Sequence, residues 1–236
     1  MSVSRETPRV AALAERYGLT ERQRTQLLAL LTELAADRRS PTTVREPAEA
    51  LDIHLADSLV GLEVEAVRMA GSLADLGAGA GFPGLALAVA LPQCSVALVE
   101  SQARKCGFIE RMATAANAEN VRVVCGRAEE WREGAKANDV VTARALAAQP
   151  VVLEYAAPLL RVGGTLVDWR GRRDAAQESA AIAAAGELGL RLVEIRWVEP
   201  YAGARDHHLH VYEKVEDTPA RYPRRAGVAR KRPLGC

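Results

Sequence analysis

Along this chain the spacing of apolar positions changes character near residue 72. Before that point it is helical. Thr20 can cap a helix that starts at Glu21 and runs to about Arg39, with Leu27, Leu28, Leu30, Leu31 and Leu34 on one face, and Pro41 ends it. A second helix is expected from Pro47 through Leu51, His54, Leu55 and Leu59, and no strand pattern precedes Leu73. After it, short apolar runs alternate with helical ones. The runs predict strands at 72–76, 95–100, 121–124, 138–142 and 164–169. Helices are expected near 83–91, 103–116 and 149–160, with a short helical turn at Ala128–Arg132 and a further helix from Asp174 to Leu188. Two last runs, Leu190–Val198 and His207–Lys214, flank a loop holding Pro200 and Gly203. Such alternation predicts an α/β fold, a parallel sheet joined by right-handed crossovers and closed by an antiparallel hairpin. The organisation is then an N-terminal helical extension over 1–70, a core over 71–214 and a tail over 215–236.

The chemistry begins where the period changes. Residues 73–84 read Leu-Ala-Asp-Leu-Gly-Ala-Gly-Ala-Gly-Phe-Pro-Gly. A strand ending near Asp75 meets a turn with Gly77, Gly79, Gly81 and Gly84, and an Ala/Leu run follows. Glycine suits a turn that passes close to a ligand, because it lacks a Cβ and accepts positive φ. Gly79-Ala-Gly81-Phe-Pro-Gly84 fits the dinucleotide fingerprint G-x-G-x-x-G. The register from Asp75 gives D-x-G-x-G-x-G, the first motif of S-adenosylmethionine (AdoMet) methyltransferases. Glu100, at the end of the next strand, suits ribose hydroxyls in either cofactor. Asp75 separates the two readings. A carboxylate at the mouth of the turn repels a pyrophosphate but supports a cationic methionine end. The closing hairpin points the same way, to the seven-stranded sheet of a class I AdoMet-dependent methyltransferase, Rossmann-like with an antiparallel last strand.

Composition adds limits. The 236 residues are 49% hydrophobic but only 4% aromatic, so Ala, Leu and Val must build the core. No run of 18 apolar residues and no signal pattern appears, and a cytoplasmic protein is expected. Cys94, Cys106, Cys125 and Cys236 form no C-x-x-C pair and read as reduced thiols. Those at 94, 106 and 125 fall in segments that read as core or helix, poor settings for a nucleophile. Net charge is +1, yet from Val215 onward Arg221, Arg224, Arg225, Arg230, Lys231 and Arg232 face only Glu216 and Asp217. A tail near +4 on a body near −3 is an electrostatic footprint for phosphate. The tail is therefore expected to contribute electrostatically to nucleic-acid affinity and to change cofactor affinity little.

Several linked motifs together resemble the ribosomal RNA small subunit methyltransferase G family, also called glucose-inhibited division protein B. They are His54-Leu-Ala-Asp57-Ser58, the Asp75–Gly84 turn, Glu100-Ser101 with Arg104-Lys105 and Phe108, Gly126-Arg127-Ala128-Glu129, Asp139 to Arg144-Ala145, Pro158 to Gly164, and Tyr222-Pro223-Arg224-Arg225 with Pro233-Leu234. The resemblance covers roughly Ser40 to Gly235. Three departures stand out. The family's Trp-Asn and Asn-Leu-Thr are missing near Ser40, Trp169-Arg170-Gly171 stands where Lys-Gly is common, and Glu100 replaces Asp.

The resemblance implies methyl transfer from AdoMet to N7 of a guanine in 16S ribosomal RNA, alone or within the small ribosomal subunit, by a monomer with no membrane partner. It implies that Gly77, Gly79 and Phe82 line the methionine side, that Glu100 takes the ribose, and that Ala128 and Glu129 frame the adenine. Arg144, after the fourth strand, is the expected catalytic residue and a second cofactor contact, able to hold a carboxylate or phosphate bidentately. Arg170, Arg224, Arg225, Arg230 and Lys231 are the expected RNA contacts. No metal is expected, although His208 and His210 share a strand face. His54 and Asp57 are expected to pair at i,i+3 and tie the N-terminal helices to the core. The competing readings are a methyltransferase of another substrate, a non-catalytic AdoMet- or RNA-binding assembly protein, and a nicotinamide-dependent oxidoreductase. The basic tail, the intact glycine motif and Asp75 respectively argue against them.

Overall fold

The computed structural model describes residues 3–37 and 40–235. The expected helix end at Arg39 and the Cys236 thiol lie outside the described residues. Helices α1 (Thr7–Arg16) and α2 (Glu21–Ala36) open the fold. Thr20 and Gln23 form a reciprocal capping box at the start of α2, and Leu27, Leu30, Leu31 and Leu34 are buried. Each such leucine contributes about 2 kcal/mol by leaving water. The second expected helix is a composite. α3 (Pro47–Ala50) passes into a π-helical stretch, Leu51–Ala56, then α4 (Asp57–Leu59) and a 3-10 turn, Val60–Glu63, followed by the short α5 (Glu65–Arg68).

The sheet is built from β1 (Ser72–Leu76), β2 (Ser95–Glu100), β3 (Val121–Cys125), β4 (Asn138–Arg144), β5 (Leu160–Arg170), β6 (Leu190–Trp197) and β7 (His208–Lys214). Their spatial order is β3-β2-β1-β4-β5-β7-β6. β7 is antiparallel to both neighbours, and the pairs from β3 to β5 are parallel. The class I arrangement expected from the sequence is therefore present. Helices α6 (Gly84–Ala90), α7 (Ala103–Ala115), α8 (Gln149–Ala156) and α9 (Ala175–Glu187) connect the strands, and α10 (Val228–Lys231) lies near the C-terminus.

The apolar core has two clusters. One joins α1, α2 and the composite helix to α6, α7 and the sheet. The other joins α8 and α9 to the opposite sheet face and takes in Tyr222 and Ala229 of the C-terminal segment. The N-terminal helices are thus one layer of the core, and the tail is docked. No helix among the described residues is long and apolar enough to cross a membrane.

Candidate active site

The carboxyl ends of β1, β2 and β4 meet at the glycine turn. Gly77, Gly79 and Gly81 take φ of +67°, +61° and +97°, which a side chain would resist. Asp75 lies beneath the turn. It is 1% exposed, its carboxylate accepts from the Gly84 amide at 2.9 Å, and the Thr142 hydroxyl donates to it at 2.9 Å. This corrects the expectation of a carboxylate at the mouth. Both oxygens hold the turn from within, and burial raises the pKa to about 6. Glu100 accepts from the Gly79 amide at 3.1 Å and from the Gln102 amide at 2.9 Å, so its carboxylate also sets the shape of the turn.

Beside the turn is a cavity of about 420 Å³ lined by Gly77, Val99, Ser101, Gly126 to Glu129, Leu146 and Tyr155. It gathers the expected Gly77, Ala128 and Glu129. Phe82 is not brought there; it is 4% exposed and stacks on the His54 ring with centroids 4.9 Å apart. The far wall is the C-terminal segment, through Gly227, Arg230 and Lys231. The Gly227 amide donates to Glu129 Oε1 at 3.3 Å, and Arg230 donates to the Leu146 carbonyl at 3.1 Å. Arg224 anchors the segment with a forked contact to Glu154, a fully buried carboxylate, at 2.9 Å and 3.1 Å from Nε. Charge counts give no partners, so the sequence does not place the tail on this cavity. Arg224, expected on RNA, is an internal anchor. Arg225, Arg230 and Lys231 remain exposed.

A second cleft, of about 330 Å³, opens across the chain from the first. Asp57, Arg144, Ala145, Arg170, Arg172 and His207 are among its lining. The divide between the two is the segment after β4: Arg144 and Ala145 line the second cleft, and Leu146 lines the first. Ala145 takes a left-handed φ of +53°, which turns the chain between them. Arg144, expected to meet both cofactor and substrate, thus lines the second cleft and not the first. Its Nη1 donates to Asp57 Oδ2 at 2.6 Å and to the Ile53 carbonyl at 2.7 Å. Asp57 also accepts from His207 Nδ1 at 3.1 Å, and its carbonyl accepts from the Trp169 indole at 2.8 Å.

The expected His54–Asp57 pair is therefore absent. His54 meets the Thr42 hydroxyl at 3.2 Å, and burial lowers its pKa to about 4. Arg170 lines the second cleft while donating to the Ala147 carbonyl at 3.0 Å. His208 donates to the Gly171 carbonyl, whereas His210 is buried against the Gln149 amide at 2.9 Å. Cys94 and Cys106 are buried as expected, but Cys125 is exposed at the end of β3. The residues that sequence reasoning missed are Leu146, Gly227 and His207. A hint for the first was its place directly after Arg144-Ala145.

The model of the rRNA small subunit methyltransferase G family matches residues 21–197. The chain belongs to this family. It is similar to the ribosomal RNA small subunit methyltransferase G of Rubrobacter xylanophilus, at 39% identity over 88% of this chain and 84% of that protein. The protein of the same name from Deinococcus radiodurans is 38% identical over 91% of this chain and 85% of its own length. Among solved structures, Aeropyrum pernix fibrillarin with natively bound S-adenosyl-L-methionine aligns with a TM-score of 0.54 at 18% identity. That match covers 66% of this chain and 72% of fibrillarin, and it bears on the fold alone.

Proposed function

We propose that the chain transfers a methyl group from AdoMet to N7 of a guanine in 16S ribosomal RNA. The observation that carries this reading is the pair of cavities divided by Arg144–Leu146. One is shaped by glycines for a cofactor, and the other is rimmed by Arg144, Arg170 and Arg172. Gly77, Ala128, Glu129 and the backbone around Ser101 and Gln102 would hold AdoMet, with Glu100 at the ribose. The fit rests on the open cavity beside positive-φ glycines, where the backbone can approach a ligand closely. Bound AdoMet supplies an electrophilic methyl on a sulfonium.

The chain's own task is positional. Guanine N7 has a free lone pair at neutral pH, so no residue needs to remove a proton. Arg144, held by Asp57 and the Ile53 carbonyl, keeps its remaining N–H groups for the incoming RNA, and Arg170 and Arg172 extend the cationic rim. In-line placement and tolerance of the purine charge that develops account for the catalysis. Exposed Arg225, Arg230 and Lys231 extend the phosphate surface over the cofactor cavity. The chain acts as a monomer in this reading.

Three measurements test the proposal. Calorimetry should show binding of S-adenosylhomocysteine and not of NAD. Labelled AdoMet with small-subunit particles from cells lacking the activity should place the label on a guanine N7; label elsewhere rejects the reading. Arg144→Lys, which keeps charge but not the fork, should lower turnover about a hundredfold, because misplacement of the order of 1 Å is that costly.

A further inference from the structure

We infer that His207, with its tautomer fixed by Asp57, reads the 2-amino group of the target guanine; this rests on the proposed reaction. The argument starts from an acceptor-only group. A carboxylate has no proton to give, so the 3.1 Å contact between His207 Nδ1 and Asp57 Oδ1 places the ring proton on Nδ1. The neutral ring then carries its lone pair on Nε2. No hydrogen-bond partner among the described residues reaches that atom, and His207 lines the second cleft. Tyr201 packs edge-on against the ring, 5.9 Å between centroids, and limits its rotation. Asp57 is itself held by Arg144 and is 6% exposed, so its orientation is set before any substrate arrives.

The chemistry of a purine matches this acceptor. When N7 faces the methyl donor, the far edge of the ring is the one around C2. Guanine carries an amino donor there, and adenine carries only a C–H. The Nε2 lone pair gains a hydrogen bond from guanine and none from adenine, and an acceptor left unpaired beneath a docked base costs about tenfold or more in discrimination. His208 is the other imidazole in the cleft. It is held by a backbone carbonyl of the Gly171 turn, not by the carboxylate that also holds Arg144. His207 therefore shares its anchor with Arg144 of the same cleft, and His208 does not.

The test uses the full chain and small-subunit particles reconstituted with guanosine or inosine at the target position. Inosine keeps N7 and O6 and lacks only the 2-amino group. The expected result is methylation of inosine at least about tenfold less efficient than of guanosine, by kcat/KM. His207→Phe should bring the ratio of guanosine to inosine kcat/KM close to one, whatever its absolute rates. His207→Gln, which keeps an acceptor, should recover part of the preference, and His208→Phe should retain all of it. Each preference is a ratio within one protein, so partial loss of folded material does not alter it. Equal use of both bases by the unaltered chain overturns the inference, as does a preference that survives in His207→Phe or vanishes in His208→Phe. No transfer to guanosine N7 at all overturns the reaction beneath it as well.

Discussion

The glycine turn and the C-terminal segment bound the same cavity, and they are built on opposite rules. In the turn, side chains are excluded. A Cβ on Gly77 would stand 2.5 Å from Leu146 Cδ1, and one on Gly84 2.2 Å from Leu98 Cδ2. Its shape comes from backbone amides closing on two carboxylates, Asp75 and Glu100. In the segment, side chains are what hold. Arg224 grips Glu154, Arg230 grips the Leu146 carbonyl, and Tyr222 and Ala229 enter the second apolar cluster. One wall is specified by what is missing and the other by who is paired with whom.

Arg224→Met breaks the paired wall most severely. It leaves the fully buried Glu154 without its cation, and about 3–5 kcal/mol of stability should be lost. Denaturant unfolding measures this loss, and calorimetry should show weaker binding of S-adenosylhomocysteine alongside it. A variant with full affinity would remove the segment from the cavity.

Asp75→Asn acts on the other wall with opposite sign. Burial raises the Asp75 pKa from 3.8 to about 6, so the folded state holds that proton more tightly than the unfolded chain. The carboxylate thus lowers stability as pH rises from about 4 to about 6, by roughly 3 kcal/mol in all. An amide can still accept from Gly84 and meet the Thr142 hydroxyl. The variant should match the parent below pH 4 and exceed it above pH 6 in thermal unfolding. A constant difference across pH would contradict this account.

Gly84→Ala should cost about 1–3 kcal/mol by overpacking against Leu98 and Asp75, read by the same unfolding curves. The smallest effect belongs to Arg225→Ala. That exposed guanidinium should leave stability unchanged and reduce the salt slope of RNA binding by about one counterion.

The same contrast decides what was legible in the sequence. Period and glycine spacing located all seven strands and the turn, because both depend on single positions. β5 was expected from 164 and begins at Leu160. Gly163-Gly164 reads as a break, yet Gly163 at φ +81° sits where the β4–β5 register shifts, so the strand passes through. The π-helical stretch at Leu51–Ala56 left no mark either, since its extra residue per turn does not change which positions are apolar. Pairings were the least legible. Glu154 and Arg224 lie 70 residues apart, and Asp57 and His207 lie 150 apart. Nothing in either local sequence names its partner.

The placement of Gly227, Arg230 and Lys231 on the wall of the cavity proposed for AdoMet has a thermodynamic corollary. The stretch that carries these cations also carries Arg225, so the ligand of the cavity and any anion that engages this stretch act on one element. Linkage then requires reciprocity: whatever factor the anion applies to cofactor affinity, the cofactor applies to anion affinity. A chain loaded with AdoMet and a chain carrying S-adenosylhomocysteine would differ in their grip on RNA by the ratio of those two factors, so turnover itself can set when the product leaves.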